Sequence, residues 1–220
     1  MARKQNTRRE KPYIIVFCEG ETEEAYVKFI QSQFKGACKI KAVKTNNFFK
    51  DAKSKFDKEP QFRNKVDVTD EIWFLFDTET KDIAKWDERY KTIKDLRKLR
   101  PKPGIRVRLL MTSGCIEYWF VLHYKLIAPS VQTEAEKKAM EDEIKKIEPA
   151  YYKGSYEAIT HIAKHSDNAI QNAKVVLYNL TAKGLPTTED NDERNKWLCQ
   201  KCETFSTVFE VLEFLKGIQK

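Results

Sequence analysis

The sequence predicts an α/β fold: a parallel sheet flanked by helices, followed by a helical C-terminal half. Residues 13–18 and 72–76 are continuous apolar runs, which are typical of strands buried on both faces of a sheet. Stretches with helical spacing alternate with such runs, as in crossover units that build parallel sheets. With 41% apolar residues, the 220-residue chain is long enough for a sizeable core.

The elements are expected in the following order. A strand at 13–18 leads through Gly20 into a helix with Thr22 as N-cap. The remaining predictions are a weak strand at 39–43, a mixed segment at 48–62, the strand at 72–76, a helix at 81–100, a strand at 105–111 and a buried helix at 113–123. Later helical patterns cover 133–147 and 155–180, and Thr207 with Glu210 predicts a capping box for a last helix.

These elements suggest three regions. Residues 1–11 carry five basic residues and one acidic residue without periodicity, and form either a nucleic-acid contact or a tail that aids solubility. Residues 12–128 form the α/β domain, and residues 129–220 form a helical region packed on the sheet.

Charge and composition narrow the class of protein. The formal net charge of +8 and the pI near 9.1 favour a polyanionic partner. No apolar run approaches the roughly 18 residues of a membrane span, and no signal peptide is recognisable, so we expect a cytoplasmic protein without membrane contact. Five cysteines, an odd number, predict reduced thiols.

Carboxylates follow two of the predicted strands directly. Glu19 comes after the first strand, and Asp77 and Glu79 come after the run at 72–76. Ligands bind at the carboxyl ends of the strands in open α/β sheets, and carboxylates are the ligands that Mg²⁺ or Mn²⁺ prefers. The sequence therefore predicts a Mg²⁺ or Mn²⁺ site with Asp77 and Glu79 as ligands and Glu19 as either a third ligand or the catalytic group that transfers a proton. The alternative is that these acids only cap the helices that follow.

Two further patterns allow more than one interpretation. Glu117 and His123 are polar residues six positions apart in an apolar helix, so each needs a buried partner elsewhere. Cys199 with Cys202, and His161 with His165, have the spacing of zinc half-sites, or they are simply buried thiols and surface histidines. The chain contains no P-loop motif, so any ATP hydrolysis would need a partner.

Four segments, in this order, resemble the RloB-like family, whose core is similar to a TOPRIM domain. They are IIVFCEGETEEAYV behind the basic arm, FDTET, SGCIEYWFVLHY and FSTVFEVLEFL. The resemblance implies a metal-dependent nuclease centre and a role in bacterial defence against phage, often beside a restriction system or a partner ATPase. It also implies that Glu117 binds or supports the metal and that His123 is a general acid/base, with a structural core histidine as the alternative. The family's strand-end pair is usually Asp-x-Asp, whereas this chain has Asp77-Thr78-Glu79, which changes the reach of one carboxylate.

A basic segment follows the strand-end acids. Residues 81–108 carry eleven basic and four acidic residues. We expect Lys85, Arg89, Lys98 and Arg100 to bind nucleic acid there, although a solvated helix face would have the same composition. The resemblance favours RNA, such as tRNA, over DNA. The predicted function is a Mg²⁺- or Mn²⁺-dependent nuclease; the alternative is a non-catalytic nucleic-acid-binding or ATPase-partner subunit that retains the fold.

Overall fold

A computed structural model describes residues 11–219, so the predicted basic arm lies outside the described residues except for Lys11. Four parallel strands form one sheet in the order β2-β1-β3-β4. The strands are β1 (Tyr13–Cys18), β2 (Lys39–Lys44), β3 (Thr69–Thr78) and β4 (Arg106–Ser113). This arrangement confirms the predicted α/β class with a parallel sheet, and it is consistent with a TOPRIM-like fold.

Helices connect the strands and form much of the rest of the described chain. They are α1 (Glu21–Gln33), α2 (Phe48–Lys58), α3 (Pro60–Arg63), α4 (Trp86–Arg97), α5 (Ile116–Val121), α6 (Glu134–Ile147), α7 (Tyr156–Ile162), α8 (Ser166–Asn179), α9 (Asp192–Lys201) and α10 (Phe209–Gln219). A 3₁₀ turn at Thr80–Lys85 joins β3 to α4. None of the helices in this part of the chain is long and apolar enough to cross a membrane.

The sheet is covered on both faces, which explains its apolar strands. Successive side chains of a strand point to opposite faces. On β3, Trp73 meets Phe214 of α10 edge to face, whereas Phe74 stacks on Phe49 of α2 with ring centroids 4.2 Å apart. The guanidinium of Arg89 on α4 lies over the rings of Phe49 and Phe76 on that second face. Helices α2 and α4 are therefore neighbours on one side of β3.

Several details differ from the sequence-based expectation because side chains find distant partners. Gly20, not Thr22, precedes α1, and the Thr22 hydroxyl accepts a hydrogen bond from the Gly154 amide at 3.1 Å. Thr207 forms no capping box, because its hydroxyl bonds the main chain of β4 while the carboxylate of Glu210 pairs with Arg194. The helix predicted at 81–100 starts as the 3₁₀ turn at Thr80–Lys85 and is α-helical only from Trp86 to Arg97. The helix predicted at 155–180 is interrupted by a 3₁₀ turn at Ala163–His165.

The turn from β4 to α5 requires glycine at position 114. Gly114 has φ +70°, and a Cβ there would lie 1.8 Å from the carbonyl oxygen of Val131. Its amide donates a hydrogen bond to the carbonyl of Thr78 at the end of β3. The turn is thus attached to the carboxyl edge of the sheet, which fixes where α5 begins.

We expect Gly114→Ala to lower the free energy of unfolding by at least about 2 kcal/mol, because left-handed strain adds to an overlap with backbone. Gly36→Ala is the matched control, since a Cβ at Gly36 would meet no atom within 4 Å. Urea unfolding of the two variants measures the difference. Equal stability would mean that the Val131 segment moves away without cost.

Candidate functional site

The carboxyl ends of β1 and β3 bring the strand-end acids to one edge of the sheet. Cys18 at the end of β1 pairs with Leu75, so that extending the register by two residues brings Gly20 level with Asp77. Glu19 is exposed at this edge, and Asp77 is partly exposed. The first turn of α1 therefore begins beside Asp77, as expected for a site at the carboxyl edge of a parallel sheet.

Glu23 is a fourth acid at this edge, and it is buried with 8% of its surface exposed. Its carboxylate folds back over Gly20, where a Cβ would lie 2.2 Å from Glu23 Oε2. Glycine at position 20 thus leaves the space that the Glu23 carboxylate occupies. The sequence analysis did not single out Glu23, because an acid in the first turn of a helix is ordinarily explained by the helix dipole. Its spacing of four residues from Glu19 across the strand-to-helix turn was a usable signal.

Glu117 enters the same site from α5 and is almost wholly buried, with 2% exposed. The hydroxyl of Tyr151 donates a hydrogen bond to Glu117 Oε1 at 2.8 Å, and the ammonium of Lys153 lies 4.0 Å from the same oxygen. The segment that carries both residues is anchored to α1 by the hydrogen bond from the Gly154 amide to Thr22. The buried partner that Glu117 requires is thus supplied by the helical C-terminal region.

Burial and neighbouring carboxylates raise the pKa of two acids at this edge, Asp77 and Glu23. Burial, followed by the charges of Glu23 and Glu117, raises the pKa of Asp77 well above its usual value. Burial is also the main cause for Glu23, and with the charges of Glu117 and Glu19 it raises the pKa of Glu23 to about 7. These shifts mean that the acids lie close enough to repel one another while partly withdrawn from water.

Glu79 has different surroundings from the other acids. Its carboxylate forms ion pairs with Lys137 of α6 and with Lys81. Burial acts to raise the pKa of Glu79, but the hydrogen bonds from the two ammonium groups outweigh it and the pKa is lowered. Glu79 is therefore already neutralised by lysines, whereas Asp77 and Glu23 form no ion pair with any residue from 11 to 219.

The donor atoms at this edge suit Mg²⁺ or Mn²⁺, which bind carboxylate oxygens and need only one or two of them beside retained waters. The raised pKa values of Asp77 and Glu23 show a repulsion that a divalent cation would relieve. Within residues 11–219, no three His, Cys, Asp or Glu side chains are grouped so as to hold a metal ion as they stand. The chemistry of the acids fits a metal, with one or two carboxylates rather than a preformed cage.

Two clefts meet at the acids. The first has a volume of about 830 Å³ and lies between α2 and α4; the second, of about 550 Å³, lies between α1, α5 and α6. Both are lined by Gly20, Glu23, Asp77 and Glu79. A ligand in either cleft would therefore reach the acids.

The four basic residues predicted to bind nucleic acid fall into two groups. Lys85 and Arg89 line the first cleft, but both pair with the buried carboxylate of Asp82, at 2.9 and 3.0 Å. Lys98 and Arg100 do not line this cleft, and Arg100 bonds the carbonyls of Asp67 and Pro103. Contact of these four residues with nucleic acid stays a prediction. The positive charges of Lys85 and Arg89 are already paired with Asp82 inside the protein.

His123 is completely buried in the core, away from the lining of both clefts. Its Nδ1 lies 3.0 Å from the carbonyl oxygen of Trp119, and Nε2 has no partner among the described residues. Burial lowers the pKa of His123 to about 4, so that the ring is neutral near pH 7. These surroundings suit a core histidine, and the general acid/base role stays a prediction.

The residues of the possible zinc site have separate contacts. Cys199 is buried with Sγ 3.5 Å from Sδ of Met111, whereas His161 pairs with Glu148. The ring of His165 lies beside that of Tyr124. All five cysteines are free thiols in the described part of the chain.

The comparison with protein families identifies the chain. The family model described as RloB-like protein matches residues 14–215, and the chain belongs to this family. No match to a curated protein or to a solved structure was found.

The raised pKa of Glu23 predicts a pH-dependent difference in stability between wild type and Glu23→Gln. A carboxyl whose pKa rises from 4.5 to about 7 on folding adds stability below pH 4.5 that is lost as the pH rises through 7. Without divalent cations, the wild type should therefore lose on the order of 2–3 kcal/mol relative to Glu23→Gln across this range.

Chemical unfolding at several pH values measures this difference, and the comparison cancels groups common to both proteins. Glu157→Gln, which removes an exposed carboxyl on α7, controls for the type of substitution. Parallel pH profiles for wild type and Glu23→Gln would contradict the raised pKa of Glu23.

Proposed function

We propose that this RloB-like protein is a Mg²⁺- or Mn²⁺-dependent nuclease that hydrolyses phosphodiester bonds at the edge formed by β1 and β3. The observation that carries the proposal is the set of mutually repelling carboxylates, Asp77, Glu23 and Glu117, at the meeting point of two clefts. Acids whose pKa values are strongly perturbed in a cleft are candidates for a functional site.

Asp77 and Glu23 are the residues that would hold the cation, with the predicted ligand Glu19 at the exposed rim. A divalent cation supplies charge stabilisation for the transferring phosphoryl group and activates water. Glu117, oriented by Tyr151, would position the metal ligands. Glu79 forms ion pairs with Lys137 and Lys81, and its role would be to position these lysines near the substrate phosphate.

The biological role in this proposal follows from the resemblance to the family. In this role the protein cleaves RNA such as tRNA in preference to DNA, and it does so in defence against phage. It cooperates there with a partner ATPase. The 220-residue sequence contains no P-loop motif, so any ATP hydrolysis in this role would come from the partner.

A second candidate function is a nucleic-acid-binding or ATPase-partner subunit without turnover. The ion pairs of Glu79 with two lysines favour this second function, because a carboxylate paired with lysines is less available to bind a metal ion. The nuclease requires a metal ion and Asp77 for activity, whereas the subunit without turnover binds nucleic acid without either.

The metal site predicts a change in melting temperature. Excess Mg²⁺ or Mn²⁺ should stabilise the wild type by about 2.7 kcal/mol at a hundredfold excess over the dissociation constant. Asp77→Asn should be more stable than the wild type without metal, because it removes repulsion, and should lose the metal response. Asp87→Asn, an exposed residue of α4 outside both clefts, should retain it. A wild type whose melting temperature does not respond to metal has no site as proposed.

The nuclease itself is tested by incubating tRNA and duplex DNA with the wild type and with Asp77→Asn, in Mn²⁺ and in chelator. We expect metal-dependent cleavage that favours tRNA and falls at least about a hundredfold in Asp77→Asn, since removal of an electrostatic group of this kind costs roughly 10²–10³ in rate. Asp87→Asn should cleave as the wild type does. Binding of tRNA that is independent of metal and unaccompanied by cleavage would establish the non-catalytic alternative instead.

A further inference from the structure

The first cleft has two walls with different free charge. Helix α4 and the 3₁₀ turn before it form one wall, and helix α2 forms the other. Sequence reasoning assigned nucleic-acid binding to the segment at 81–108 and left α2 without a role. Among the described residues, the surplus of unpaired positive charge that lines this cleft lies on α2 and not on α4.

On the α4 wall, most of the positive charge is already paired. Lys85 and Arg89 both bind Asp82, which is only 4% exposed. Lys91 has no ion pair within residues 11–219, but Glu88 and Asp95 of the same wall also have none, so this wall has no surplus of free positive charge.

On the α2 wall, the free charge is positive. Lys50, Lys53, Ser54, Asp57 and Lys58 line the cleft, and their spacing places them on one face of the helix. Lys53 pairs with Asp57, whereas Lys50 and Lys58 form neither an ion pair nor a hydrogen bond with any residue in the described range. The opposite face of α2 is fixed in the core by Phe49, Ala52 and Phe56, so the lysines extend from a rigid support.

The dimensions of the cleft favour a single strand over a duplex. A volume of about 830 Å³ lies in the range of pockets for small molecules, which is enough for a few nucleotides. Lys50 and Lys58 are separated by about 12 Å along the helix axis, from eight residues at ~1.5 Å each. A stacked strand carries one phosphate per about 3.4 Å, so this distance spans more than one phosphate.

We propose that α2 is the phosphate-binding wall of a channel that guides a single nucleic-acid strand to Asp77 and Glu23, with Lys50 and Lys58 contacting the backbone. The strand lies between α2 and α4, with its scissile phosphate at the carboxyl edge of the sheet. Because phosphate contacts carry no base sequence, the channel accepts RNA and DNA single strands, and the strand must be unpaired where it enters.

The test measures equilibrium binding in chelator, where no cleavage occurs, with single-stranded RNA, single-stranded DNA and a blunt duplex, each roughly 12 nucleotides long. Affinity is determined at several salt concentrations for the wild type, for Lys50→Gln with Lys58→Gln, and for a control pair. The control pair, Lys164→Gln with Lys196→Gln, removes two exposed lysines that line neither cleft. A further variant combines Lys85→Gln with Lys98→Gln.

We expect the wild type to bind either single strand at least tenfold more tightly than the duplex. The α2 pair should reduce the slope of log affinity against log salt by about 1.4, since each single-strand phosphate contact contributes roughly 0.7. The control pair should keep the slope of the wild type. An unchanged slope in the α2 pair, a loss confined to the Lys85 and Lys98 variant, or equal affinity for the duplex would each overturn the channel.

The assignment rests on the proposed nuclease function, and the two can fail separately. Strand binding that depends on α2 in a protein that never cleaves would retain the channel and remove the nuclease. Metal-dependent cleavage that is lost in Asp77→Asn but unaffected by the α2 pair would retain the nuclease and remove the channel.

Discussion

Repulsion among partly buried carboxylates at one edge of the sheet is the constraint on which the rest of this structure depends. Asp77, Glu23 and Glu117 come from three different elements. Beside burial, the charges of Glu23 and Glu117 raise the pKa of Asp77, and the charge of Glu117 raises the pKa of Glu23. A fold selected for stability alone would replace such acids with apolar residues, because burying unpaired charge is costly. Their presence in a cleft is explained if a cation or a proton occupies the space between them when the protein acts.

Some basic side chains around the site form ion pairs within the fold, whereas others are available to bind a ligand. Asp82 holds Lys85 and Arg89, and Glu79 holds Lys81 and Lys137. The formal charge of +8 therefore overstates what a polyanion meets in the first cleft. What matters for a polyanion is the local surplus at the cleft, and this surplus lies on α2.

The strands could be predicted from sequence, whereas the pairing of side chains could not. Continuous apolar runs located β1 and β3, because a strand that is buried on both faces consists almost entirely of apolar residues. The ends of these runs also located the edge where Glu19 and Asp77 lie. Glu23 was missed because an acid in the first turn of a helix has an ordinary explanation. The Thr207 bonds to β4 and the Tyr151 bond to Glu117 join residues distant in sequence, and no local pattern encodes them.

The helical C-terminal region belongs to the site and is more than a support for the sheet. Tyr151 supplies the hydrogen bond of Glu117, Lys137 neutralises Glu79, and the Gly154 amide binds Thr22 in the first turn of α1. If this region moved away, Glu117 would lose the hydrogen bond from Tyr151 and the nearby ammonium of Lys153. The geometry of the acids is therefore set jointly by the sheet and by the segment after α6. Movement of that segment relative to α1 would reach the carboxylates directly, through one hydroxyl and one backbone amide.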